Sequence, residues 1–66
     1  MQVFFNGEAR EIRDAITLAE LLTDLELSSN RVAVELNLEL APREQHASTV
    51  LKEGDRIEVV TLVGGG

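Results

Sequence analysis

The chain has 66 residues, room for one small domain with a single modest core. It contains no cysteine and one histidine, which removes disulfides, iron–sulfur clusters and Cys/His zinc sites, the usual staples of short domains. Twelve acidic against six basic residues leave a formal charge of −6, so a nucleic-acid backbone or an anionic membrane surface would be repelled.

The first strand signal is QVFF at residues 2–5, followed by Asn6-Gly7. Asn-Gly suits a two-residue type I′ turn, in which both residues take positive φ. Residues 8–13 should therefore return antiparallel, with Ile12 inward. Alternation turns Val3 and Phe5 inward and Phe4 to the opposite face. Thr17-Leu18-Ala19-Glu20 is a capping box that opens a helix. Leu18, Leu21, Leu22 and Leu25 then recur at spacings of three and four, which forms one apolar stripe. Ser28-Ser29-Asn30 breaks the pattern.

Residues 31–36 alternate at period two, with Val32, Val34 and Leu36 on one face. Asn37 turns the chain, and residues 38–40 read as a short edge strand. Pro42 starts a single helical turn over residues 43–46, in which His46 is expected to be exposed. Gly54 supplies a positive φ in the turn at residues 52–55. The last strand spans residues 56–63. Ile57 and Val59 point one way, which leaves Val60 and Leu62 for the other face.

Strands on both sides of one main helix imply an α+β fold, with a mixed sheet packed on that helix. The expected core is Val3, Phe5, Leu18, Leu21, Leu22, Leu25, Val34, Ile57 and Val59. The second sheet face has no helix to cover it. Phe4, Val60 and Leu62 would form an apolar patch there, the kind of patch that marks a partner-binding site. No apolar run is long enough to span a bilayer, and the opening MQVFFNGEA has neither the basic nor the apolar region of a signal peptide. A cytoplasmic location is expected.

Catalytic machinery is not legible. There is no cysteine nucleophile and no Gly-rich loop between strand and helix, so the chain is expected not to be an enzyme, and no metal site is expected. The feature that resists a purely structural reading is Gly64-Gly65-Gly66, which follows the last strand directly. Residues without a Cβ can pass a narrow channel and take whatever φ and ψ it demands. The terminal carboxylate is then an unhindered acyl electrophile once activated. The alternative for such an ending is an inert tail.

The whole pattern resembles the ubiquitin-like β-grasp sulfur carriers, most closely those that serve thiazole formation in thiamine biosynthesis. MQVFFNG, TLAELL, VAVELN followed by APREQ, and LKEGDRIEVVTLVGGG carry the resemblance across essentially the whole length. Two features depart from the family pattern. Gln45 is followed by His46 where an aromatic residue is frequent, and three glycines stand where two suffice.

The resemblance implies a β-grasp domain over residues 1–63 and a flexible tail over residues 64–66. It implies that Gly66 is adenylated and converted to a thiocarboxylate, while Gly64 and Gly65 thread the activating site. Phe4, Val60 and Leu62 would dock the partner. The partners would be an adenylating enzyme of the ubiquitin-activating type, which uses ATP, a cysteine desulfurase system as the source of sulfur, and thiazole synthase as its recipient. The chain itself would bind no cofactor. Three alternatives remain within the fold: the small-subunit carrier of molybdopterin synthase, whose chains are usually longer, a modifier conjugated to lysines, and a noncatalytic interaction domain.

Overall fold

Asn6 and Gly7 take φ of 50° and 85°, and this turn folds β1 (Gln2–Phe5) back on β2 (Glu8–Glu11) as an antiparallel hairpin. The computed structural model describes residues 1–62. β2 ends at Glu11, two residues earlier than the hairpin reading predicts, and Ile12 follows it half-buried against the core.

The helix α1 (Leu18–Asp24) starts where the capping box places it. The Glu20 amide donates to Thr17 Oγ1 at 3.1 Å, and the Thr17 amide donates to Glu20 Oε1 at 2.9 Å. At the other end Glu26 takes φ +60°. The Glu26 amide bonds to the Thr23 carbonyl and the Leu27 amide to the Leu22 carbonyl, the Schellman arrangement, here with glutamate where glycine is usual.

The remaining strands are β3 (Val32–Leu36), β4 (Glu39–Leu40) and β5 (Arg56–Thr61). The sheet order is β2-β1-β5-β3-β4, with β1 and β5 parallel and every other neighbouring pair antiparallel. β5, last in sequence, is therefore central in the sheet. Leu18, Leu21 and Leu22 of α1 pack on Val3, Val32, Val34 and Ile57 of the strands. Phe5, Leu25 and Val59 are half-buried around them rather than fully enclosed.

Ile16 and Leu51 complete the core. The Leu51 amide bonds to the Ile16 carbonyl and the Leu18 amide to the Thr49 carbonyl, so the approach to α1 pairs with the segment near residue 50. A 3-10 helix, Arg43–Ser48, precedes that segment.

His46 is 3% exposed, contrary to the exposed turn histidine that its polar neighbours suggest. Its Nε2 lies 2.8 Å from the Ala41 carbonyl oxygen and its Nδ1 3.4 Å from Ser29 Oγ. A carbonyl only accepts, so Nε2 carries the proton. Both ring nitrogens are satisfied, which permits burial.

The β3–β4 turn is less conventional. Asn37 and Leu38 take φ of 53° and 72°, so Leu38 occupies a position that glycine fills at no steric cost. Its side chain is 83% exposed and gains little from packing. We expect Leu38→Gly to raise stability by about 0.5–1 kcal/mol, because relief of the left-handed backbone exceeds the entropy cost of glycine. Urea unfolding would measure it, and a destabilised variant would contradict this reading of the turn.

Candidate functional site

Two asparagines and an aspartate fix the strand that leads to the glycines. On the β3 side, Asn37 Oδ1 accepts the Arg56 amide at 2.9 Å and Asn37 Nδ2 donates to Asp55 Oδ1 at 3.0 Å. On the β1 side, Asn6 Oδ1 accepts the Val59 amide at 2.8 Å. Asp55 Oδ2 also accepts the Lys52 amide at 2.8 Å and closes the turn before β5. Turn residues thus serve as clamps on β5 from both neighbouring strands. Sequence reading finds Asn6 and Asn37 as turn formers only. Their second role depends on the sheet order, for which the local sequence carries no signal.

Just beyond β5, the Leu62 amide still bonds to the Arg31 carbonyl at 2.8 Å. The expected tail residues Gly64, Gly65 and Gly66, and with them the expected mobility of the tail, lie outside the described residues.

The expected patch is only partly brought together. Val60 and Leu62 are 62% and 54% exposed. Phe4 is half-buried and paired with Arg56 in the parallel register, and the Arg56 guanidinium lies 5.7 Å from its ring centroid. Four residues of strand, roughly 13 Å, separate that position from Val60. Val60 is paired instead with Ala33 and shares a shallow groove with Leu40. Leu40 is 71% exposed and was not among the expected site residues.

Among the described residues, no cluster of three His, Cys, Asp or Glu could hold a metal ion, and no helix is long and apolar enough to cross a membrane. A second groove, between β2 and α1, is lined by Arg10 and Glu11 as well and is bridged by the Arg13–Asp24 ion pair at 2.8 Å.

Residues 3–66 match the ThiS family model. The chain belongs to the ThiS family. It is 33% identical over 66 residues to the sulfur carrier protein ThiS of Escherichia coli, covering 100% of both proteins. It is 39% identical to a stretch of the thiazole synthase of Paramagnetospirillum magneticum, where the match covers 100% of this chain but 20% of that much longer protein. The crystal structure of the thiamine biosynthesis protein ThiS from Geobacter metallireducens superposes with a TM-score of 0.86 at 33% identity, over 100% of both chains. The ubiquitin-like β-grasp fold expected from sequence is thus shared with a solved member of the ThiS family.

Proposed function

We propose that this chain is a sulfur carrier of thiamine biosynthesis whose Gly66 carboxylate is adenylated and then converted to a thiocarboxylate. The observation that carries the reading is the family match, which runs through Gly66. A carboxylate oxygen attacks the α-phosphorus of ATP and releases pyrophosphate. The terminal sulfur of a persulfide then displaces AMP from the acyl-adenylate. A thiol reduces the resulting acyl disulfide and leaves the thiocarboxylate. The carrier contributes position and an unhindered acyl group, and the partners contribute the acid–base and nucleophilic groups. The likeness to part of a thiazole synthase supports thiazole formation as the destination of the sulfur.

The first step has its own test. With an adenylating enzyme of the ubiquitin-activating type, the chain is expected to support exchange of labelled pyrophosphate into ATP. A chain amidated at Gly66 should support none, and equal exchange with the amidated chain would overturn the proposal.

Docking is tested separately. Val60→Asp removes no core contact but adds a carboxylate on the face of Glu58, so it should lower the unfolding midpoint by about 1–6 °C and leave the chain folded. It should weaken binding to the adenylating enzyme about tenfold or more, because a charge replaces an apolar contact in a desolvated interface. Unaltered affinity would show that Val60 is merely surface.

A further inference from the structure

Glu35 of β3 stands directly opposite Glu58 of β5 on the uncovered face of the sheet. Like charges in this position destabilise a sheet. Both side chains are exposed, and the ion pairs among the described residues join the Met1 amine to Glu11 and Asp14, and Arg13 to Asp24, so none reaches either carboxylate. The same-face cation two residues along β5, Arg56, has its guanidinium over the Phe4 ring instead.

The walls beside the two carboxylates are apolar. Leu40 is paired with Glu35 and Val60 with Ala33, and these four residues with Glu58 line a groove of about 140 Å³. Apolar walls suit the methylene stem of a long side chain. Two adjacent carboxylates offer several acceptor oxygens to a planar fork of N–H donors. A guanidinium fits this better than an ammonium, which is more strongly hydrated and cannot bridge two acceptors in a fixed plane.

We infer that the groove between Leu40 and Val60 receives an arginine side chain of the adenylating partner, with its guanidinium held by Glu35 and Glu58. The inference rests on the carrier reading above and names the chemistry of that docking face. It accounts for a repulsive pair that the fold alone does not need, and the excess negative charge of the chain steers a basic surface toward it.

The test is the KM for this chain in pyrophosphate exchange, measured together with thermal unfolding of the free chain. Glu58→Gln and Glu35→Gln should each raise the unfolding midpoint by about 1–6 °C, since repulsion between the paired carboxylates is relieved. Each should also raise KM about tenfold or more. Glu44→Gln, on the remote 3-10 helix, removes the same charge and should leave KM unchanged.

A KM within about twofold of wild type for the double variant would overturn the inference. So would an equal rise with Glu44→Gln, an effect confined to thiazole synthase binding, or an effect on self-association alone. Exchange supported normally by wild type and variants alike removes only this inference. No exchange with the wild-type chain removes the carrier reading, and the inference with it.

Discussion

Leu22→Ala is expected to remove about 2–5 kcal/mol of folding stability, the range for truncation of an enclosed leucine. Leu22 is 1% exposed and lies on the inward stripe of α1 with Leu18 and Leu21. The lost methyl groups leave a cavity that neighbours in a close-packed core fill only in part. A domain of this length holds roughly 3–10 kcal/mol in total, so the variant should be marginally folded or unfolded at room temperature. Urea unfolding followed by far-ultraviolet circular dichroism reads this directly, and a loss below about 1 kcal/mol would contradict the central place of Leu22.

Deletion of Gly66 is expected to abolish most carrier activity while leaving the fold intact. Removing one residue retracts the terminal carboxylate by roughly 3.3–3.6 Å, and reacting atoms must approach to about 3–3.5 Å. A fall in adenylation rate of about a hundredfold or more follows if the activating site is rigid. Gly65→Val should give a comparable loss by another route, because a branched side chain would obstruct the narrow channel that the proposed threading of the tail requires. A deletion variant adenylated at the wild-type rate would show that chain length at the tail is not critical.

Local signals made most of the fold readable in advance. Thr17 and Glu20 satisfy each other within four residues, and the leucine spacing sets the buried face of α1 without reference to the rest of the chain. Asn6-Gly7 likewise contains its own turn geometry. Ile16 and Leu51 carry no period, because they lie in irregular segments that become core only when paired with each other. His46 reads as exposed until the Ala41 carbonyl and Ser29 hydroxyl meet its ring. Leu38 reads as strand, although the hairpin needs it in the turn at positive φ.

The proposed docking face was legible to the extent that alternation along one strand can show it. Val60 turns outward because Ile57 and Val59 turn inward. The separation of Phe4 from Val60, the approach of Leu40 and the opposition of Glu35 to Glu58 are set by register between strands distant in sequence. Such register depends on the turn at Asn37 and the clamps on β5, and alternation along single strands is blind to it.

The most direct measurement is the intact mass of the chain after incubation with the adenylating enzyme, ATP, a cysteine desulfurase and its cysteine substrate, and a thiol reductant. Conversion of the Gly66 carboxylate to a thiocarboxylate exchanges one oxygen for sulfur and adds about 16 Da at the acyl group, located by fragmentation to the last residue and absent when ATP is omitted. An unchanged mass, with a partner system shown to be active on another carrier, would contradict the assignment of this chain as a sulfur carrier.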